Sequence, residues 1–219
     1  MANLLFDYDG TLHETIRIYA AAFRAAYDRM VADGLAEPRD WEEREITRWL
    51  GYTAKDMWES FAPTLPEEKK LYYSGLIGTG LVDQIRAGNA RLYPGAEDVL
   101  RTLKSAGHQL FFLSNCRTTY LAVHREQFRL DRFFTDFYCS EDYDWDPKPV
   151  IFARMQEKWP GDWIVIGDRH HDLEVAEVFH LPSIGCRYGY GAPGELDAAT
   201  RLADRVTDIP ELVRQLVKS

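Results

Sequence analysis

Short apolar runs and amphipathic stretches take turns along most of this chain, and that alternation constrains the fold more than any other feature. Runs that read as buried strands stand at Leu4 to Phe6, Leu110 to Leu113, Phe137 to Cys139, Trp163 to Ile166 and Ser183 to Cys186. A helix-like stretch precedes each of the last four: Ala96 to Ser105, Tyr120 to Phe128, Val150 to Lys158 and Asp172 to Phe179. Strand and helix in this order predict an α/β fold with a doubly wound parallel sheet.

One interval breaks the alternation. From about Glu14 to Ala90 no convincing strand occurs, and Ile16, Tyr19, Ala20, Phe23, Tyr27 and Met30 recur at helical spacing. Gly34 with Pro38, then Gly51, then Pro63 with Pro66 punctuate it into three or four helices. The expected organisation is a core domain of residues 1–13 and 91–219 with an inserted α-helical domain of residues 14–90. Both connections of such an insertion lie at the end of the first strand, so the reading is a cap that opens and closes there.

The formal net charge of -9 disfavours nucleic acid and anionic lipid as partners over most of the surface. An anionic substrate then needs local positive charge or a metal. Three cysteines, Cys116, Cys139 and Cys186, are few, widely spaced and odd in number, which argues for a reducing compartment rather than a disulfide framework. No basic start leads into an apolar leader and no apolar segment approaches the roughly 18 residues of a membrane span, so the chain reads as soluble and cytoplasmic.

Ligands of open parallel sheets bind beyond the carboxyl ends of the strands, and the polar residues there are chemically consistent. The first strand is followed by Asp7-Tyr8-Asp9-Gly10-Thr11, the second by Ser114-Asn115, the fourth by Gly167-Asp168 and then Asp172; Lys148 lies after the third. Carboxylates suit a hard cation and nucleophilic attack, a hydroxyl and backbone amides suit phosphoryl oxygens, and one ammonium offsets charge. Asp7, Asp168 and Asp172 alone would repel a phosphate dianion; a divalent metal together with Lys148 removes that repulsion. Taken singly, these residues also suit plainer roles, such as turn formation for Asp7 and Asp9 and helix capping for Asp168, Asp172 and Ser114-Asn115.

In order and separation these segments resemble the haloacid dehalogenase-like (HAD) superfamily, in its phosphoglycolate phosphatase-like branch with a helical cap. The resemblance rests on Phe6-Asp7-Tyr8-Asp9-Gly10-Thr11-Leu12, Leu113-Ser114-Asn115, Asp146-Pro147-Lys148-Pro149 and Ile166-Gly167-Asp168 with Asp172. It implies a Rossmann-like core and a Mg2+-dependent phosphatase that hydrolyses a small-metabolite phosphate monoester through an aspartyl-phosphate. Asp7 would be the nucleophile and Asp9 the general acid and then base. The metal would be held by Asp7, the Asp9 carbonyl oxygen and Asp168, with Asp172 acting through water or behind these ligands. Gly10, Thr11, Ser114 and Asn115 would hold the phosphoryl group, and Lys148 would bind both Asp7 and a phosphate oxygen. Lys55 sits where similar proteins carry a specificity loop. The state expected is a monomer or weak homodimer.

Related chemistries stay open: a β-phosphoglucomutase-like sugar-phosphate mutase, a phosphonoacetaldehyde hydrolase-like enzyme using Lys55, or a non-catalytic phosphoryl-binding regulator. Asp9 favours phosphoryl transfer, because the superfamily's dehalogenases lack an acid there and a mere binder has no use for a proton donor; Thr11, at a position usually aliphatic in the β-phosphoglucomutases, speaks against the mutase. Cys116 reads as a small packed residue, His170 and His171 as rim residues whose side chains diverge, and Trp41, Trp49 and Trp58 as packing within the insertion. His13-Glu14 and Arg169-His170-His171 depart from the branch's usual pattern, which leaves the substrate undetermined.

Overall fold

The computed structural model describes residues 1–218. Its elements run β1 (Asn3–Phe6), α1 (Ile16–Ala32), α2 (Glu43–Ile46), α3 (Ala54–Phe61), α4 (Glu67–Arg86), α5 (Ala96–Ser105), β2 (Gln109–Ser114), α6 (Thr118–Phe128), β3 (Asp136–Cys139), α7 (Lys148–Lys158), β4 (Trp163–Gly167), α8 (His170–Phe179), β5 (Ser183–Cys186), β6 (Arg201–Ala203) and α9 (Ile209–Lys218). All strand pairs are parallel, in the order β3-β2-β1-β4-β5-β6. The expected α/β, doubly wound sheet is therefore present, with a sixth strand at the edge that carries no apolar run.

Alternation of side chains explains the two layers of helices. Leu4, Phe6, Phe112, Ile164 and Ile166 face one side, where Leu100 of α5, Leu121 of α6 and Val213 of α9 cover them. Leu5, Phe111, Leu113, Trp163 and Val165 face the other, against Phe152 of α7 and Val175 of α8. Both faces are buried, so the central strands are apolar throughout.

From β1 the chain builds outward through β2 and β3, then returns to place β4 on the opposite side of β1. The strand order reverses at β1, and the loops leaving β1 and β4 part there to open a crevice.

Residues 16–86 contribute helices only, and these enclose an apolar cluster of their own. Phe23, Tyr27 and Met30 of α1 pack with Trp41, Trp49, Trp58, Tyr73 and Ile77, so the three tryptophans are packing residues as expected. The two connections run side by side: His13 bridges Leu92, the Glu14 amide donates to the Arg91 carbonyl (2.9 Å) and the Tyr93 amide to the Leu12 carbonyl (2.9 Å). No helix among the described residues is long and apolar enough to cross a membrane.

Candidate active site

Three buried carboxylates meet at the reversal point. Asp7 leaves β1, Asp168 follows β4, and Asp172 reaches back from the first turn of α8; one oxygen of each lies within 4.8 Å of the others. Lys148, at the start of α7, donates to Asp7 Oδ1 (2.7 Å) and Asp172 Oδ1 (2.6 Å). Asp172 Oδ2 accepts the backbone amides of Asp168 (3.0 Å) and Arg169 (2.9 Å), capping α8 and fixing its own position. Asp168 accepts from the Thr11 hydroxyl (3.2 Å) and the Tyr190 amide (2.7 Å).

Asp7 Oδ2 is buried and has no hydrogen-bond partner. An orphaned carboxylate oxygen is costly without a ligand. Burial, followed by the charges of Asp172 and Asp9, pushes the Asp7 carboxyl up to about 7 against the pull of Lys148. Burial and the charges of Asp7 and Asp172 likewise raise Asp168 well above the carboxylate range. Burial works to lower the Lys148 ammonium, but Asp172 and Asp7 outweigh it and leave it raised. Three hard oxygen donors with a single ammonium form a site that could hold a divalent metal ion, which would relieve the repulsion and satisfy the orphaned oxygen.

Gly10 shows how tightly the loop after β1 is set. Its backbone has φ +95°, and a Cβ there would stand 2.2 Å from Asp168 Oδ2. Its amide donates to the His13 carbonyl (3.0 Å), so that N–H is occupied within the turn.

Asp9 lies on the side facing the helical insertion. Its Oδ1 accepts from Tyr120 (2.5 Å) and Thr15 (2.7 Å) and lies 3.4 Å from His13 Nδ1, while Oδ2 faces Ser114 Oγ (3.4 Å). Burial alone would raise this carboxyl; hydrogen bonds from His13, Tyr120 and Thr15, with the charge of His13, overcome it and hold it at about 2. Sequence reasoning missed Thr15 and Tyr120. The departure at His13 was visible, but nothing in its spacing pointed to Asp9.

Asp9 also lines a cavity between the sheet edge and the insertion, walled by Tyr19, Leu50, Tyr52, Met57, Ser114 and Arg117 among others. Two side chains tie its rim together. Asn115 Nδ2 donates to the Gly51 carbonyl (3.1 Å) while its Oδ1 accepts from Ser140 (2.8 Å). Arg169, buried beside Asp168, pairs with Glu195 (2.8 Å) and donates through Nη1 to the Leu50 carbonyl. Its Cγ would stand 2.9 Å from a Cβ at residue 51, where Gly51 has φ +83°.

Several expected residues stand elsewhere. Lys55 is exposed, faces Glu59 at 4.0 Å and lines a separate outer cavity, so it is not brought to the acid cluster; it sits in the first turn of α3, whose inner face is taken by Met57 and Trp58. Thr11 is fully buried and its hydroxyl goes to Asp168, so its side chain holds a carboxylate rather than a phosphoryl group. The rings of His170 and His171 do not diverge: their centroids are 3.7 Å apart, with His170 on Glu195 and His171 against Tyr52. Cys116, Cys139 and Cys186 are free and buried. Among the described residues, Asp7, Asp168 and Asp172 are the one group arranged to hold a metal.

Comparison with known proteins adds the family. The model of the haloacid dehalogenase-like hydrolases matches residues 1–180. A phosphoglycolate phosphatase of Salmonella choleraesuis (strain SC-B67) is 26% identical, over 86% of this chain and 82% of that protein. Among solved structures, a predicted phosphatase from Clostridium acetobutylicum superposes with a TM-score of 0.81 at 23% identity, covering 98% of this chain and 99% of that one. A predicted phosphoglycolate phosphatase from Haemophilus somnus 129PT gives 0.79 at 20% identity, covering 97% and 98%. At such identities the superpositions establish the shared fold.

Proposed function

The chain belongs to the haloacid dehalogenase-like hydrolases, and from that premise we propose that it is a Mg2+-dependent phosphatase of small-metabolite phosphate monoesters, acting in the cytoplasm through an aspartyl-phosphate on Asp7. The observation that carries the reading is the state of Asp7. One carboxylate oxygen is pinned by Lys148, and the other is buried, unpartnered and aimed among acids that need a cation.

In this reading one oxygen of the Asp7 carboxylate attacks phosphorus and the other would face the metal, while Lys148 steadies the carboxylate and supplies positive charge to the phosphoryl oxygens. Mg2+ would be held by Asp7, Asp168 and the Asp9 carbonyl, with Asp172 behind them, and when bound it would supply charge neutralisation to the transferring group. Ser114 and Asn115, at the sheet edge before α6, would flank that group. Residues 14–90 act as the cap and residues 1–13 with 91–219 as the core, with the bridged connections at His13 and Leu92 as the hinge. The curated phosphoglycolate phosphatase relative supports a small acidic ester as substrate.

Asp9 supplies the proton chemistry. Held as a carboxylate by three donors, it is in the form that deprotonates the hydrolytic water; protonating a departing alkoxide requires those donors to loosen when substrate binds. Asp9→Asn should therefore slow alkyl phosphates by about 10²–10⁴-fold and dinitrophenyl phosphate, whose leaving group needs no proton, far less in aspartyl-phosphate formation. Burst kinetics with both esters decide this, and equal slowing of that step would remove Asp9 from the acid role. The proposal itself is tested by magnesium-dependent phosphate release across a panel of monoesters; no turnover of any would refute it.

A pH dependence follows from the raised Asp7. A carboxyl raised from 3.8 to about 7 in the folded metal-free protein contributes fully to stability below pH ~4 and loses that contribution as pH climbs toward 7, on the order of a few kcal/mol. Mg2+ binds the ionised form, so the rise in melting temperature it produces should be larger at pH 8 than at pH 5. A calorimetric shift independent of pH would contradict this.

A further inference from the structure

Two large side chains beside the cavity make no side-chain hydrogen bond or ion pair among the described residues. The guanidinium of Arg117 makes no hydrogen bond or ion pair among the described residues, although it is partly buried and lies against α4 at Gly78, where a Cβ would be 3.6 Å from Nη1. Its nearby acid, Glu141, accepts the amide (2.8 Å) and hydroxyl (2.7 Å) of Thr118 through Oε2, and against the upward pull of burial the Arg117 charge helps to hold that carboxyl below its ordinary range without an ion-pair contact. The indole of Trp145 makes no ring contact or hydrogen bond among the described residues and belongs to none of the apolar clusters. Trp145 also has a left-handed backbone, φ 62°, following Asp144 at φ 53°. A bulky residue held in that region marks a turn kept for what it positions rather than for its own comfort.

Arg117 and Trp145 meet the same space. Both line the cavity that contains Asp9, and both line the neighbouring outer cavity, so they belong to the wall the two share. Each is tied in sequence to the reaction site: Arg117 follows Ser114-Asn115 by two residues, and Trp145 precedes Lys148 by three. Arg117 is the one cation on the inner cavity wall and Asp9 the one acid. The lysines of the outer cavity, Lys55 and Lys70, each face a glutamate, at 4.0 Å and 3.7 Å. The remaining inner wall mixes apolar side chains, Met57, Ile77 and Leu81, with the hydroxyls and amide of Thr53, Ser74, Asn115 and Thr119.

We propose that Arg117 and Trp145 form a distal subsite for the leaving group, and that the substrate is a phosphate monoester whose alcohol carries a flat, mainly apolar body ending in a second anionic group. The guanidinium receives that anion, the indole lies against the body, and the phosphoryl end is left to Asp7 and Lys148. The inference rests on the phosphatase reading for its reaction but not for its binding preference.

The test compares phenyl phosphate, para-carboxyphenyl phosphate and para-phenylene bisphosphate, which share a body and differ in the distal group, with n-propyl phosphate as the member lacking a ring. Expected is a kcat/KM ratio favouring the acidic esters over phenyl phosphate by about ten- to hundredfold, falling toward unity in Arg117→Met and partly kept in Arg117→Lys. The better of the two acidic esters identifies the anion as carboxylate or phosphate. Trp145→Leu should lower the preference for phenyl over propyl phosphate and leave the charge ratio in place. Binding of the same esters to Asp7→Asn protein, measured by calorimetry, gives the preference without turnover. If the wild type hydrolyses none of them but the Asp7→Asn protein still prefers the acidic esters through Arg117, the phosphatase reading fails and the subsite stands. Equal binding of charged and neutral esters, or a ratio unmoved in both Arg117 variants, overturns the subsite. Should Arg117→Met prove unfolded by circular dichroism, Arg117→Gln and Arg117→Lys carry the same comparison.

Discussion

Asp7→Asn is expected to abolish turnover, by at least about 10⁴-fold, while leaving a folded protein that still binds phosphate esters. The amide that replaces the carboxylate cannot form the acyl phosphate, and no neighbouring group substitutes: Asp168 is engaged by Thr11 and Tyr190, and Asp172 by Lys148 and two amides. The fold should survive because Lys148 keeps Asp172 at 2.6 Å as its counter-ion. Steady-state release of phosphate from an aryl ester with Mg2+ gives the rate and thermal melting gives the fold. A variant retaining a tenth of the wild-type rate would show that the reaction does not pass through Asp7.

Lys148→Met is expected to have the largest effect on the metal-free fold. It removes the one ammonium between Asp7 and Asp172 and leaves both buried acids without their counter-ion. Breaking a buried ion pair from one side costs about 3–5 kcal/mol, because the abandoned charge stays desolvated. Part of that loss should return on adding Mg2+, which supplies positive charge to the same acids, and part on lowering the pH, which neutralises them. Denaturant titrations with and without Mg2+ measure both. A stability equal to that of the wild type in the absence of metal would mean that the acids are protonated in the folded state and carry no charge for Lys148 to offset. Turnover should fall as well, since Asp7 loses the contact that holds Oδ1.

The parts of this architecture that could be read from residues alone are those where one physical requirement dominates a short window. Leu4 to Phe6 or Trp163 to Ile166 must be buried on both faces, and only an apolar run can be. The acids Asp7, Asp168 and Asp172 were legible because strand ends converge in a parallel sheet whatever the intervening chain does. Arg201–Ala203 went unseen for the opposite reason: it is an edge strand whose first two residues are exposed. Lys55 was placed in the site by its position after Gly51, but which way a first-turn residue points depends on how α3 packs, and Met57 and Trp58 decide that. Thr11 follows the motif yet serves Asp168. The donors on Asp9 come from Thr15, six residues away, and Tyr120, 111 residues away, and no periodicity connects such partners. Arg169 and Glu195 likewise meet only through the fold.

The placement of β1 bears on how the molecule assembles itself. Its register sets Leu5 beside Phe111 and Val165, so the middle of the sheet cannot begin to form until about a hundred intervening residues have been brought round into a closed loop. Contacts between α1 and α4 lie within that loop and are nearer neighbours in the chain, so the helical segment can condense early and shorten the search. Pulse-labelled amides of α1 should then gain protection before those of β1, and the reverse order would show that the sheet nucleates first. On this account the helical segment serves, during folding, as the clasp that lets the earliest strand find its partners.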